Sequence, residues 1–162
     1  MIKEGVDLVS AFEGFSSPTY TCPAHVWTIG LGTTIYPSRY RVKKSDPNCT
    51  REEAEAWLHH ELLRCEQVVI RYTNVFLNDY QLAALSSFVY NVGPGAFRAS
   101  TLRRRINTVD WHDVPYQLSR WNKAGGRILQ GLIRRREAEI DLWLRGEQCY
   151  AESLFNNGDC HG

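Results

Sequence analysis

Three residues near the start of the chain have the types and spacing that glycoside hydrolysis requires. Glu13 is followed after eight residues by Cys22, and Cys22 after five more residues by Thr28. Cleavage of a glycosidic bond needs a proton donor at the leaving oxygen and a second group across the sugar ring. The donor must keep its proton near neutral pH, which burial against apolar neighbours favours in a carboxylic acid. Phe12 and Phe15 flank Glu13 and are candidates for these surroundings, although the spacing alone also fits a surface glutamate at a helix end.

The elements that must position these residues follow from the periodicity of the sequence. Apolar residues at Ile2, Val6 and Val9 predict an amphipathic helix over residues 2–12, which ends at Glu13. Strand-forming residues interrupted by glycine and proline then predict a small antiparallel sheet between Phe15 and about Lys44. This is the only β-like stretch that the pattern indicates.

The remainder of the sequence is typical of helices. Thr50 and Glu53 match a capping box and predict a long helix to about Tyr72. Further helices are predicted from Asn78 or Asp79 through Val89, over 96–107, 110–122 and 127–145, with Gly146 closing the last and an irregular tail over 147–162.

This order predicts an α+β fold with a single domain over residues 1–162. An N-terminal lobe of about residues 13–60 carries the sheet. A helical C-terminal lobe comprises about residues 72–146 together with helix 2–12, and the long helix joins the two lobes. We expect a cleft between the lobes, where ligands usually bind.

Charge and hydrophobicity exclude several functional classes. The formal net charge is only +1, which argues against nucleic-acid binding by electrostatics. No segment approaches the roughly 18 consecutive apolar residues of a membrane span, and charged residues within the first turns argue against a secretory signal. We therefore expect a soluble chain. Basic clusters at residues 41–44, 103–105 and 134–136 fit solvated helix faces or attraction to an anionic polymer.

The cysteines and histidines leave several possibilities. The five cysteines are an odd number, so at least one thiol lacks an intramolecular partner, and in a reducing cytosol all five can stay reduced. Cys49 and Cys65 are expected on one helix about 24 Å apart, which prevents a bond between them. With Cys22 reserved for chemistry, two pairings remain: Cys49 with Cys149 and Cys65 with Cys160, or Cys49 with Cys160 and Cys65 with Cys149. No metal site is expected, because the histidines lack zinc-ligand spacing (His25, His59, His60, His112 and His161).

Three blocks in chain order resemble the phage lysozyme family (glycoside hydrolase family 24). The triad Glu13, Cys22 and Thr28 is similar to that of the family, which has Glu, then Asp or Cys, then Thr at this spacing. The following residues 27–34 resemble the glycine-rich strand of the family. The other two blocks resemble its central helix-turn-helix and its C-terminal signature, and comprise residues 88–97 with 100–102, and residues 121–126 with Leu129, Gly131, Leu132, Arg135, Arg136 and Glu137.

The resemblance implies a lysozyme-like fold and a peptidoglycan hydrolase that needs no cofactor. Glu13 would be the general acid, Cys22 the second catalytic group, and Thr28 would help to hold the attacking water or the sugar. The bond cleaved by the family is the β-1,4 bond between N-acetylmuramic acid and N-acetylglucosamine in bacterial cell walls. An arginine from residues 134–136 would reach Glu13 and fix its orientation.

Several assignments stay open at this stage. Cys22 stands where many members of the family have Asp, and it could act as a thiolate base, a nucleophile or an apolar filler in a strand. Thr33 stands where the family has a mainly structural His. Asn91 fits either a sugar-amide ligand or a helix cap. Gly125 and Gly126 could let the backbone approach the glycan or could only form a turn.

Alternative functions follow from the same residues. A lytic transglycosylase acts on the same bond with one acid and no attacking water. A periplasm-delivered antibacterial muramidase and a non-catalytic wall-binding domain also fit the resemblance. We expect a monomer that binds bacterial peptidoglycan and no nucleic acid. We expect it to be made in the host bacterial cytoplasm and to act in the periplasm, with redox gating of Cys22 as a further hypothesis.

Overall fold

The computed structural model describes the backbone of residues 1–22 and 25–156 and the side chains up to residue 148 within these ranges. Its elements, in chain order, are α1 (Lys3–Phe12), β1 (Ser16–Thr21), β2 (Trp27–Gly30), α2 (Arg51–Tyr72), α3 (Asp79–Val92), α4 (Pro94–Ala99), α5 (Thr101–Asn107), α6 (Val114–Ser119), β3 (Lys123–Ala124), β4 (Arg127–Ile128) and α7 (Gln130–Asn156). Helices dominate and the strands form small antiparallel pairs, which confirms the α+β class.

The N-terminal hairpin packs its strands directly on α2. Tyr20 pairs with Thr28 across the antiparallel β1–β2 ladder, and the register shifts between Ser16 and Tyr20. Gly30 ends β2 with a φ of +65°. A Cβ at Gly30 would lie 2.7 Å from the Cβ of Ala54 in α2, so only glycine permits this close approach of strand and helix.

The long helix α2 begins where the sequence predicts. The Thr50 hydroxyl accepts the backbone N–H of Glu53, and the Glu53 carboxylate accepts the backbone N–H of Thr50, as in a capping box. Leu58 and Leu62 of α2 belong to a hydrophobic cluster under the hairpin. Val69, farther along the same helix, belongs to a second cluster around α3 and α7. The helix therefore contributes to both cores.

Two helical predictions in the C-terminal half are wrong in detail. The single helix expected over residues 96–107 is divided into α4 and α5 at Ser100. The Ser100 hydroxyl accepts the backbone N–H of Arg103 and caps α5, so the chain restarts a helix there. In place of a helix over residues 110–122, the structure has a 3₁₀ turn at Trp111–Asp113 and the short helix α6.

The prediction of a single β-like stretch is also wrong, because β3 and β4 form a second hairpin. Gly125 and Gly126 make its two-residue turn with φ values of +57° and +77°. Two positive φ values in a two-residue connection match the twist of a hairpin and favour glycine at both positions. The adjacent glycines indicate a turn in the sequence, but the strands are too short to show an alternating pattern.

The last helix does not end at Gly146, where the sequence pattern places its end. α7 continues to Asn156, so residues 147–156 are helical and not irregular, and the remainder of the predicted tail lies outside the described residues. Gly146 serves packing instead. The Asn78 side chain donates a hydrogen bond to the Gly146 carbonyl (2.8 Å), and a Cβ at Gly146 would lie 2.5 Å from Asn78 Oδ1.

The predicted disulfide pairings stay untested. Cys49 precedes α2 and is not in the helix, which corrects the expectation that it shares a helix with Cys65. The two residues are buried in different hydrophobic clusters. Their proposed partners fall on the undescribed side chain of Cys149 and on Cys160, which lies outside the described residues.

Candidate active site

A cleft of about 490 Å³ separates the N-terminal hairpin region from the start of the C-terminal helices. Glu13 lies on its wall at the end of α1, and α2 and the end of α3 form other parts of the wall. The lining residues are Glu13, residues 32–35, Trp57, Leu58, Glu61, Arg64, Cys65, Val68, residues 89–91, Gly93 and Pro94. The expected cleft is therefore present, and it contains the predicted acid.

Glu13 is the residue that follows the last turn of α1. Its backbone N–H donates to the carbonyl of Val9, which fixes the point where the chain leaves the helix. Its side chain is 25% exposed, and Arg135 Nη1 donates to its Oε1 at 2.8 Å. The other oxygen, Oε2, lies toward Gly32, where an added Cβ would be 3.4 Å away. One carboxylate oxygen is thus held and the other faces the cleft wall.

Arg135 is the arginine that reaches Glu13, which decides among the three adjacent arginines of α7. It is only 5% exposed, whereas Arg134 is exposed. Its Nη2 donates to the carbonyl of Ser87 at 3.4 Å, and its guanidinium lies 5.8 Å from the ring centres of both Phe12 and Tyr90. These contacts from α1 and α3 hold the guanidinium in place beside Glu13. Phe12 therefore supports the site through Arg135, while the exposed Phe15 lies against Arg51.

Tyr90 is a site residue that the sequence did not single out. Its hydroxyl donates to the carbonyl of Leu31 at 3.1 Å and would lie 3.0 Å from a Cβ at Gly32. Burial, and to a smaller extent the charge of Glu13, raise the pKa of Tyr90 far above its ordinary value. Tyr90 is therefore a neutral hydrogen-bond donor that ties α3 to the segment after β2.

A buried charge network lies behind Glu13 and was also missed from the sequence. Glu139 of α7 is fully buried and contacts Arg135, Arg136 and the hydroxyl of Ser87. Burial raises the pKa of Glu139, and the two guanidiniums act in the opposite direction. The i,i+3 and i,i+4 spacing of the two arginines from Glu139 was the available signal.

Cys22 and Thr28 are brought together by the hairpin. The backbone N–H of Cys22 and the hydroxyl of Thr28 both donate to the carbonyl of Val26, at 3.1 Å and 3.0 Å. Thr28 is 2% exposed. Neither residue is among the described residues that line the cleft with Glu13. Burial, and then the charges of Glu13 and Cys22, raise the pKa of Tyr20 in β1. Tyr20 therefore lies within electrostatic range of both residues.

Asn91 lines the cleft, whereas the paired glycines do not. The Asn91 Oδ1 accepts Arg136 Nη2 at 2.9 Å, and this contact replaces the helix-capping interpretation of Asn91. Gly125 and Gly126 lie in the exposed β3–β4 turn, where an added Cβ would meet nothing within 4 Å. The structure thus requires these two glycines for the turn geometry, and a role in binding glycan stays a prediction.

The described part of the chain has neither a cluster of metal ligands nor a membrane-spanning helix. No group of three or more His, Cys, Asp or Glu side chains in it is placed to hold a metal ion. None of the helices in residues 1–22 and 25–156 has the combination of length and hydrophobicity that a membrane crossing needs.

Comparison with known proteins agrees with this geometry. The sequence model of the phage lysozyme family matches residues 10–139. An endolysin of Bacillus phage B103 is 32% identical over 150 residues, which are 90% of this chain but only 54% of that protein, so the chain spans about half of its length. A SAR-endolysin of bacteriophage PS119 is 43% identical over 120 residues, which are 74% of this chain and 72% of that protein.

The fold comparison gives the same family. The solved structure of the endolysin from Escherichia coli O157:H7 phage FAHEc1 superposes with a TM-score of 0.78 at 28% identity, covering 88% of this chain and 92% of that one. Together with the family match over the hairpin, the cleft and the start of α7, this confirms the lysozyme-like fold and the resemblance found in the sequence. The chain belongs to the phage lysozyme family of glycoside hydrolases, which act on bacterial peptidoglycan.

Proposed function

We propose that the protein hydrolyses the β-1,4 bond between N-acetylmuramic acid and N-acetylglucosamine, with Glu13 as the general acid. The observation that carries this proposal is the position of Glu13 in the interlobe cleft, with Oε1 held by Arg135 at 2.8 Å. A general acid must present one oxygen to the leaving group in a fixed direction. Because Arg135 holds Oε1, Oε2 is the oxygen that remains to donate its proton to the leaving group.

The reaction follows from this arrangement. Glu13 gives its proton to the glycosidic oxygen, and the electron pair of the breaking bond goes to that oxygen. Water then adds to the anomeric carbon from the opposite face and releases a proton to the solvent, and Glu13 takes up a proton from the solvent before the next turnover. We assign Cys22 and Thr28 to the group that positions this water, on the basis of the triad spacing and their common contact with the Val26 carbonyl.

Substrate binding is proposed at three further positions. Asn91 lines the cleft, and because its Oδ1 is occupied by Arg136, its Nδ2 remains to donate to a sugar or acetamido oxygen. Gly125 and Gly126 form an exposed turn without side chains, which would let a glycan approach the backbone.

The cellular context completes the proposal. We expect the protein to act as a monomer on peptidoglycan. We also expect it to bind no nucleic acid, which a formal net charge of +1 supports. We expect synthesis in the cytoplasm of the host bacterium and action in the periplasm, where the wall substrate is. Delivery as an antibacterial muramidase into a rival cell would use the same chemistry.

Product analysis of digested peptidoglycan tests the reaction. The wild type should release fragments with reducing N-acetylmuramic acid ends, and Glu13→Gln should lower the rate by about 10²- to 10⁴-fold, as expected for loss of a general acid. Glu4→Gln, an exposed carboxylate in the same helix, is the matched control and should keep wild-type activity. Anhydromuramic ends would instead identify a lytic transglycosylase, and full activity of Glu13→Gln would refute the assignment of the acid.

A further inference from the structure

The carboxylate of Glu139 is the centre of the buried network on α7. It is 0% exposed. Ser87 Oγ donates to Oε1 at 2.7 Å, and Arg136 Nη2 donates to the same oxygen at 3.1 Å. Arg136 Nε lies 3.0 Å from Oε2, and Arg135 Nε lies 3.5 Å from Oε1. One buried carboxylate is therefore shared by two guanidiniums from the same helix.

Each of these guanidiniums extends to a different residue of the cleft. Arg135 holds Glu139 with its Nε and donates to Glu13 with Nη1. Arg136 holds Glu139 and donates to Asn91 Oδ1 with Nη2. The proposed acid is thus connected to Glu139 through Arg135, and the proposed sugar ligand is connected to it through Arg136. Because a guanidinium is planar, its contact with Glu139 limits the directions in which Nη1 of Arg135 and Nη2 of Arg136 can donate.

The network also balances charge around the acid. Arg135 and Arg136 supply two positive charges, and Glu139 and ionised Glu13 supply two negative ones. A buried guanidinium without a compensating anion strongly attracts any nearby carboxylate. If Glu139 were neutral, Arg135 would have Glu13 as its only charged carboxylate partner among the described residues.

We propose that Glu139 is a positioning residue of the active site, whose buried carboxylate holds Arg135 on Glu13 and Arg136 on Asn91 and balances the charge of the two guanidiniums. This proposal rests on the function proposed above for Glu13. Glu139 itself does not contact the substrate, because it is fully buried behind the two arginines. It acts only through the residues that it holds.

The groups that face these two carboxylates come from several elements. Around Glu13 they are Arg135 from α7, Tyr90 from α3 and Tyr20 from β1. Around Glu139 they are Arg135 and Arg136 from its own helix and the Ser87 hydroxyl from α3. Both tyrosines have pKa values raised above the ordinary value, so they stay neutral near neutral pH. Arg135 therefore supplies the positive charge in contact with Glu13, and Glu139 counters it.

A purely structural role would give a different pattern of effects. If Glu139 only fastened α7 to α3, its loss would lower stability without changing the pH dependence of the remaining activity. A positioning role predicts a lower kcat and a displaced pH profile in protein that is folded. The decisive measurements are therefore kcat, KM and kcat/KM against pH, at a temperature where circular dichroism shows the variant to be folded.

Glu139→Gln removes the charge and keeps the shape of the side chain. We expect kcat on peptidoglycan to fall by about tenfold or more, as for other displacements of catalytic groups. We also expect the alkaline limb of the profile to move to lower pH, because the neutral amide no longer balances Arg135. Asp141→Asn, an exposed carboxylate two residues later in α7, is the matched control and should change neither. Wild-type kcat and an unmoved pH profile in Glu139→Gln would overturn the proposal.

Glu139→Asp separates the effect of the carboxylate position from the effect of its charge. It is also the second test if Glu139→Gln does not fold. It keeps the negative charge but withdraws the carboxylate by one methylene, so kcat should fall while the alkaline limb stays in place. A wild-type kcat in Glu139→Asp would overturn the positioning role.

A spectroscopic readout keeps this test independent of the proposed reaction. In NMR spectra of the folded proteins, the signals of the Glu13 carboxyl and the Asn91 amide should move in Glu139→Gln relative to the wild type, and much less in Asp141→Asn, whatever the substrate is. Unmoved signals in Glu139→Gln would refute the positioning role even if peptidoglycan were the wrong substrate. Failure of the reaction itself would appear separately, as absence of cleavage by the wild type.

Discussion

Arg135 Nη1 lies 2.8 Å from Glu13 Oε1, although the two residues are 122 positions apart in the chain. The contact brings the start of α7 against the end of α1, across the top of α3. It fixes one oxygen of the carboxylate while Oε2 lies toward Gly32. The direction of the Glu13 carboxylate, the proposed acid, is therefore set by tertiary packing of three helices and not by the local conformation of Glu13.

Arg135→Lys tests whether this direction matters. Lysine keeps the charge but has a single terminal nitrogen, which cannot contact Glu13, Glu139 and the Ser87 carbonyl at once. We expect kcat on peptidoglycan to fall by about 10- to 100-fold with a smaller change in KM, because the acid is displaced while the cleft remains. Arg134→Lys, an exposed neighbour, is the control. Equal kcat for the two variants would show that charge alone suffices at position 135.

Asn91 offers a test of substrate binding that can be separated from packing. Asn91→Ala removes both the acceptor for Arg136 and the donor to the sugar, whereas Asn91→Asp keeps an acceptor and loses the donor. We expect both variants to raise KM, since a hydrogen bond to the substrate is lost in each. A normal KM in Asn91→Asp, measured on soluble glycan fragments, would show that the amide only serves Arg136.

The sequence predicted those features whose causes are local. The start of α2 follows from Thr50 and Glu53, which are three residues apart. Of the two predicted caps of α3, Asn78 is the one that the structure uses. Family spacing located Glu13, and the structure places it in the cleft. These features depend on neighbours within one turn, or on a motif that is contiguous in the chain.

Other features depend on contacts that are distant in sequence, and these could not be predicted. Gly146 resembles a helix terminus, but it is a packing site for Asn78, 68 positions away. In the sequence, Glu139 resembles a solvated helix residue, but in the structure it is buried against Ser87 of α3. Tyr90 acquires its role from the Leu31 carbonyl, which belongs to the other side of the cleft. In each case the decisive partner comes from a different element.

Comparing Gly32→Ala with Gly93→Ala separates the effect of backbone strain from the effect of crowding Glu13. Its φ is +86°, and an added Cβ would lie 3.0 Å from the Tyr90 hydroxyl and 3.4 Å from Glu13 Oε2. Gly93, with a φ of +87°, would place its Cβ in open space. Both alanine variants carry the strain of a positive φ, of about 1 to 3 kcal/mol. We expect both variants to lose thermal stability, and a much larger loss of kcat in Gly32→Ala. Equal kcat values for the two variants would show that the methyl group does not disturb Glu13.

Cys22 can be tested for catalysis and for redox control together. If its thiol takes part in the reaction, Cys22→Ser should lose activity, and the activity of the wild type should be the same with and without reductant. Cys22→Asp, the residue that many family members have, should keep more activity than Cys22→Ser. The assay is wall clearing under both redox conditions, with free thiols titrated in parallel. A wild type that is active only with reductant would instead support redox gating, and full activity of Cys22→Ser would support a structural role.

Cys65 makes the free energy of unfolding vary with pH in the alkaline range. The thiol is 6% exposed, and burial raises its pKa from 9.0 to about 12. Above pH 9 the unfolded chain therefore loses this proton while the folded chain keeps it, so the contribution of Cys65 to stability decreases as the pH rises toward 12. Below pH 9 both states hold the proton and the contribution is complete. Cys65→Ala lacks this titration, although it has lost the packing of the sulfur in the core around α3.

We therefore expect wild type and Cys65→Ala to converge in unfolding free energy between pH 9 and about pH 12. The wild type should be more stable at neutral pH, because its buried sulfur fills the space that alanine leaves empty. Urea unfolding of both proteins with reductant, at several pH values, measures the difference, and Cys49 contributes equally to both curves. Curves that stay parallel across this range would mean that the thiol of Cys65 titrates alike in the folded and unfolded chains, against the effect of its burial beneath α3.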